Sequence, residues 1–81
     1  MNIDRDEEIK KIFCDVLGLN ESDVNDKTTY NSIEEWDSLR HLELITKYEE
    51  FYSLEFDMDD IIGMENFAKV KSIVNKYLGN K

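Results

Sequence analysis

The 81-residue sequence has no proline, three glycines and a single cysteine. Because proline is the commonest helix breaker, its absence means that helix ends must be inferred from capping residues, glycines and fading periodicity. Cys14 cannot form an internal disulfide, and it has no nearby second thiol with which to build a zinc site. We therefore expect Cys14 to be an inert side chain on the flank of a helix.

Basic residues are also few: ten stand against nineteen acidic ones, for a formal net charge of −9. Such a charge repels nucleic acids and anionic membrane surfaces, so we expect protein partners with basic docking surfaces. The sequence has no long apolar run of the kind found in signal peptides or membrane spans. These absences predict no nucleic-acid binding, no membrane insertion and a cytoplasmic location.

The short length limits what the chain can do by itself. A chain of this size makes one domain, residues 1–81, with little room for the deep pocket that self-contained catalysis requires. Its composition, 41% hydrophobic and 36% charged, supports a folded globular domain. We expect a monomeric binding protein rather than an enzyme.

Helical periodicity is clear in the first part of the sequence and predicts a helix from Asp6 to Leu17. Asp4 or Asp6 is the expected N-cap, and Gly18 supplies a left-handed stop. The apolar residues of this segment recur at the spacing of one helix face: Ile9, Ile12, Phe13, Val16 and Leu17.

Residues 18 to 36 lack sustained periodicity and predict a long connection, with a short turn near Glu21 to Val24. Long loops in compact domains need anchors or serve function. Five residues are spaced as anchors, and we interpret them as satellite core residues: Leu19, Val24, Tyr30, Ile33 and Trp36.

A second helix is predicted from Ser38 to about Tyr52. Asp37 is its expected N-cap, which places Ser38 at the first helical position. Since the amides of a first turn are unpaired, Ser38 would stand at the positive end of the helix dipole.

Two further helices complete the predicted fold. A short one begins near Asp57 or Asp59 and closes at Gly63, and a last one runs from about Phe67 to Leu78. The sequence therefore predicts an all-α bundle of three main helices plus one short helix, with a long loop between the first and second helices.

The second helix has two apolar sectors. The broader one predicts the buried stripe: Leu44, Ile45, Tyr48, Phe51 and Tyr52. On roughly the opposite side lie Leu39, Leu42 and Thr46, flanked by Glu43, Glu49 and Glu50. This second sector is either a docking surface for a basic, partly apolar partner or a surface that the 18–36 loop covers.

His41 lies three residues after Ser38 and projects toward the buried sector. A serine and histidine pair can support nucleophilic catalysis, but no strained nucleophile elbow or orienting carboxylate accompanies this one. We interpret His41 as a partly buried histidine whose hydrogen bonds are satisfied.

The acidic stretch from Asp57 to Asp60 has the alternate carboxylates that open an EF-hand loop. Its register fails, because Ile62 stands where that loop needs glycine and Ala68 where it needs a bidentate glutamate. We interpret the stretch as the cap of the short helix and expect no metal site.

Asp37-Ser38-Leu39, opening an amphipathic helix after a long loop, resembles the acyl carrier protein family, whose members carry Asp-Ser-Leu at this junction. The resemblance spans nearly the whole chain, since the helix order and the position of the serine also agree. It implies that Ser38 receives a 4'-phosphopantetheine arm from coenzyme A through a separate phosphopantetheinyl transferase. It implies too that Asp37 helps to bind the divalent metal in that complex.

The family resemblance further implies a non-catalytic carrier. The arm would hold acyl or aminoacyl groups as thioesters and present them to activating and transferring enzymes. Arg40 and His41 depart from the fatty acid synthesis type, as does Trp36 before the motif, so the sequence looks more like a discrete carrier of a specialised pathway. The alternative is an unmodified acidic interaction module with the carrier fold.

Overall fold

The computed structural model describes residues 5–30 and 33–79. Within these ranges the protein is all-α, and its β-type pairing is a single isolated bridge between Thr29 and Asn66. The predicted plan of three main helices and one short helix is confirmed. The elements are α1 (Arg5–Leu17), a 3₁₀ turn (Glu21–Asp23), α2 (Ser38–Tyr52), α3 (Met58–Gly63) and α4 (Phe67–Gly79).

The end of α1 follows the prediction, and one of the two predicted N-caps can be judged. Gly18 adopts a left-handed φ of 71°, and the amide of Leu19 donates to the carbonyl of Cys14 at 3.0 Å, which closes the helix in a Schellman-like turn. Asp6 lies inside α1, so the prediction that it caps the helix is wrong. The other candidate, Asp4, lies outside the described residues.

The end of α2 is made by a residue that the sequence did not single out. Ser53 adopts a left-handed φ of 56°, and the amide of Leu54 donates to the carbonyl of Glu49 at 3.0 Å. This is the geometry that glycine most often supplies at helix ends. Here a serine adopts the left-handed conformation, which is less favourable for a residue with a Cβ atom. The next residue, Leu54, is buried.

The long loop is fastened to the start of α4. Tyr30 donates its amide to the carbonyl of Glu65 at 2.8 Å, and Phe67 donates to the carbonyl of Thr28 at 2.8 Å. The side chain of Asn66 accepts the amide of Lys69 at 2.8 Å. The unpaired amides of α4 are therefore satisfied partly by the loop, which ties the two segments together.

Trp36 of the loop lies at the centre of the core and is fully buried. Its ring meets Phe13 edge to face, with 4.9 Å between ring centroids, and Phe13 in turn lies 4.8 Å from Phe67. The interpretation of the loop anchors as core residues is confirmed. Val24 is buried, and Leu19, Tyr30 and Ile33 pack half-buried against the core.

Two residues depart from their predicted burial. Phe51 was placed in the buried stripe of α2 but is 55% exposed, because it lies at the edge of that sector. Its ring contacts that of Tyr52, with 5.0 Å between ring centroids. Cys14 was placed on a helix flank but is buried in the core. Burial raises the pKa of the Cys14 thiol, which keeps it protonated.

The acidic stretch at α3 serves the packing of α3 on α4. Asp60 accepts a hydrogen bond from the hydroxyl of Tyr77 at 2.6 Å. It also forms an ion pair with Lys76, with 3.0 Å between Oδ1 and Nζ. The acidic stretch was interpreted as the cap of the short helix. Asp57 occupies the N-cap position of α3, but its side chain makes no capping hydrogen bond. Among the described residues, none of the helices combines the length and apolar character needed to cross a membrane.

Candidate functional site

The candidate site lies at the N-terminus of α2, and the predicted start of this helix is confirmed. Asp37 has an extended backbone, and its Oδ1 accepts the amide of Arg40 at 2.8 Å, so it is the N-cap. The carbonyl of Asp37 accepts the amide of His41 at 2.9 Å, which is the first hydrogen bond of the helix. Ser38 is therefore the first residue of α2, and it is exposed.

The position of Ser38 is held from both sides. Trp36, two residues before it, is locked in the core, and its Nε1 donates to Nδ1 of His41 at 3.0 Å. The second nitrogen of His41, Nε2, lies 2.9 Å from the carbonyl oxygen of Ile61 at α3. One histidine thus joins the loop, α2 and α3.

These contacts also determine which ring nitrogen of His41 carries the proton. Because an indole nitrogen can only donate, Nδ1 of His41 must accept, and the proton of the neutral ring is then on Nε2, facing the carbonyl. The side chain is 8% exposed, and both nitrogens have partners. The interpretation as a satisfied histidine is confirmed, and His41 is not available as a base for Ser38.

The outer face of α2 carries the predicted second apolar sector. Leu39 is 65% exposed and Leu42 is 59% exposed, so the alternative that the loop covers them is wrong. Both lie in a shallow groove of about 350 Å³ that runs along the helix from beside Ser38. The groove is lined by Leu39, Leu42, Glu43, Thr46, Lys47 and Glu50.

The groove brings together all but one of the predicted contact residues. Glu49 is half-buried, and its Oε2 accepts the amide of Phe56 at 3.0 Å, so its carboxylate braces the connection between α2 and α3. Lys47 also lines the groove, although it was not among the predicted contact residues. Its signal was present in the sequence, since it stands four residues after Glu43 and so falls on the same side of a helix.

A second cavity, of about 480 Å³, lies between the loop, α2 and α3. Its walls are largely apolar, with the ring of Tyr30 and the side chains of Ile61, Ile62 and Met64 among them, and His41 contributes to the lining. Since Ile62 is exposed, the cavity opens at the surface near α3.

A small helical bundle that presents one exposed serine at a capped helix start, after a long anchored loop, defines an acyl-carrier type of fold. Comparisons with known proteins agree. The family profile described as phosphopantetheine attachment site matches residues 7–76. The chain belongs to this family, whose members are carriers and not catalysts.

Curated relatives and a solved structure support the assignment. The chain is 34% identical over 76 residues to an acyl carrier protein of Nitratidesulfovibrio vulgaris, covering 94% of this chain and 95% of that protein. It is 29% identical over 76 residues to the polyketide-8 synthase acyl carrier protein 1 of Streptomyces avermitilis, covering 94% and 90%. It superimposes with a TM-score of 0.81 on the solution structure of a holo acyl carrier protein from Geobacter metallireducens, at 27% identity and covering 93% and 86%.

Proposed function

We propose that this protein carries acyl or aminoacyl groups as thioesters on a 4'-phosphopantetheine arm attached to Ser38. The observation that carries the proposal is the exposure of Ser38 at the first position of α2, in a chain that matches the phosphopantetheine attachment family. We further propose that residues 1–81 form a single domain. The expected cytoplasmic location and monomeric state remain predictions of the sequence.

The residues around Ser38 fit a phosphodiester. The first turn of α2 contains no acidic residue, and its amides and helix dipole favour an anion there. Asp37 uses one carboxylate oxygen, Oδ1, for the amide of Arg40. The other oxygen is the atom that we propose contacts the divalent metal while the transferase modifies Ser38.

When bound, the arm supplies a thiol for thioester formation, and the protein contributes position and recognition. Trp36 and His41 hold the start of α2 in place, so the attachment point is presented at a fixed site. We propose that the groove on α2 is the docking surface for the transferase and for the enzymes that load and unload the cargo. The contact residues would be Leu39, Leu42, Glu43, Thr46 and Glu50.

The test is the intact mass of the protein after incubation with coenzyme A, magnesium and a broad-specificity phosphopantetheinyl transferase. We expect a gain of one phosphopantetheine, localised to Ser38 by fragmentation of the modified peptide. Ser38→Ala should gain nothing, whereas Ser72→Ala, at an exposed serine within α4, should gain as wild type does.

Two results would contradict the proposal. A Ser38→Ala protein that still gained the arm would place the attachment elsewhere. A folded wild-type chain that gained nothing, beside a control carrier that the same transferase modified, would favour the unmodified interaction module.

A further inference from the structure

Four charged residues form a row along the outer face of α2, and their signs alternate. They follow one another at spacings of three, four and three residues: Arg40, Glu43, Lys47 and Glu50. At about 100° per residue, they fall within an arc of roughly 80°. All four are exposed. We call them the charge row.

The charge row borders the apolar part of the same face. Leu39 and Leu42 lie beside it, and three of its members, Glu43, Lys47 and Glu50, line the same groove as the two leucines. Ser38 stands at the head of this face. An enzyme that reaches Ser38 along the helix would therefore cover leucines and charge row together.

The charges of the row are largely available to a partner. Arg40 and Glu43 approach to only 3.9 Å, with both side chains about half exposed, and such surface pairs contribute little. Lys47 and Glu43 share a small concavity with Asp15 and Val16 of α1, so one further acid stands near the middle of the row.

The row has no net charge, because its two cations balance its two acids, although the whole chain carries −9. A uniformly basic partner surface would be attracted by the chain as a whole and opposed locally by Arg40 and Lys47. Alternating charges also occur on helices that only face water. Here the two adjacent leucines, more than half exposed, distinguish a contact face from a merely solvated one.

We propose that the enzyme surface which docks beside Ser38 carries the reverse alternation. Acidic groups would face Arg40 and Lys47, basic groups would face Glu43 and Glu50, and an apolar contact would cover Leu39 and Leu42. The inference rests on the proposed carrier function and adds to it the kind of partner. Arg40 and Lys47 are then residues that select the partner, because a charge mismatch at either position places like charges together.

The test uses the transferase that modifies the wild-type chain as the probe, and kcat/KM for the mass gain at Ser38 as the readout. We expect Arg40→Glu and Lys47→Glu each to lower kcat/KM roughly three- to tenfold, as do Glu43→Lys and Glu50→Lys. Lys69→Glu on the exposed surface of α4 makes the same change in net charge as Arg40→Glu and Lys47→Glu and should leave kcat/KM within about twofold. Circular dichroism establishes that each variant is folded.

The sign of the effect decides between the possible partners. If the partner surface is uniformly basic, Arg40→Glu and Lys47→Glu raise kcat/KM, and that result overturns the inference alone. Equal rates for all four variants and wild type overturn it too, since the row would then not be in contact. A wild-type chain that is never modified overturns the carrier function and, with it, this inference.

A second copy of the chain is the remaining occupant to be tested. In an antiparallel pairing of two α2 helices, Arg40 would meet Glu50 and Glu43 would meet Lys47 of the other copy, so the row is complementary to itself. Sedimentation of the wild-type protein should show a monomer. A dimer that Arg40→Glu dissociates would assign the row to self-association and overturn the proposed partner.

Discussion

Trp36 and His41 are joined by a buried hydrogen bond in which the indole Nε1 donates to Nδ1 of the imidazole at 3.0 Å. The other imidazole nitrogen lies 2.9 Å from the carbonyl oxygen of Ile61 and donates to it. The loop, α2 and α3 are therefore connected through one side chain. Four predictions follow from this and the other contacts described above, in addition to the tests of the two proposals.

His41→Phe keeps an aromatic ring but leaves the indole of Trp36 without an acceptor. The carbonyl of Ile61 loses one of its two donors and keeps the amide of Met64 at 3.4 Å. Because unsatisfied buried polar groups are costly, we expect the free energy of unfolding to fall by about 1–3 kcal/mol, measured by urea denaturation. Arg40→Ala, one residue away and exposed, should change it by about 0.5 kcal/mol or less. A His41→Phe protein as stable as wild type would show that the connection contributes nothing.

The capping role of Asp37 and its proposed metal contact can be separated by substitution. Asn is as good an N-cap as Asp, so Asp37→Asn should leave the free energy of unfolding nearly unchanged while slowing modification of Ser38 strongly. Asp37→Ala removes the cap as well and should cost about 1 kcal/mol. The measurements are urea denaturation and the rate of mass gain. If Asp37→Asn is modified at the wild-type rate, the proposed metal contact is wrong.

Truncation of a leucine should affect stability on one face of α2 and partner binding on the other. Leu44 is fully buried, so Leu44→Ala should lower the free energy of unfolding by about 2–5 kcal/mol. Leu42 is mostly exposed, so Leu42→Ala should lower it by about 0.5 kcal/mol or less and instead raise KM for the transferase. A large loss of stability in Leu42→Ala would mean that another segment covers the groove.

Asp60 should make part of the stability dependent on pH. Hydrogen bonds from Tyr77 and Lys76 hold the pKa of the Asp60 carboxyl below its usual value. A carboxyl whose pKa is depressed in the folded state stabilises the fold above its unfolded pKa, and that contribution is lost as the pH falls through the folded pKa.

The corresponding experiment compares wild type with Asp60→Asn by thermal or urea unfolding, from about pH 7 down to about pH 3. We expect wild type to be the more stable protein at neutral pH and the difference to shrink as the pH falls. Asp59→Asn, at the exposed neighbouring carboxylate, serves as the control. A difference that is constant over this range would show that the ionised form of Asp60 does not matter.

Local signals predicted the framework of the site. An aspartate immediately before an amphipathic segment is sufficient to place the start of α2, because the capping interaction involves only neighbouring residues. The position of Ser38 followed from it. The burial of His41 followed from helix periodicity, but its partners did not. Trp36 belongs to the long loop, and Ile61 belongs to α3. Only the fold brings them together around His41.

The mistakes concern residues whose environment is decided by distant parts of the chain. Periodicity placed Phe51 with the buried stripe, yet its side chain is 55% exposed at that edge of α2. Cys14 is at the edge of the apolar face of α1 and is buried by the segments that pack around it. Nothing in the sequence indicated that Ser53 is left-handed, because serine seldom takes the place of glycine at a helix end.

A fully buried indole at Trp36 and an exposed hydroxyl at Ser38 are only two residues apart. The indole is held by its packing on Phe13 and its hydrogen bond to His41, which fixes the chain just before Ser38. A group attached to Ser38 would therefore move about a point that is fixed relative to the core. Its reach would be set by the length of the tether alone, and its direction by how the carrier is seated on the next enzyme.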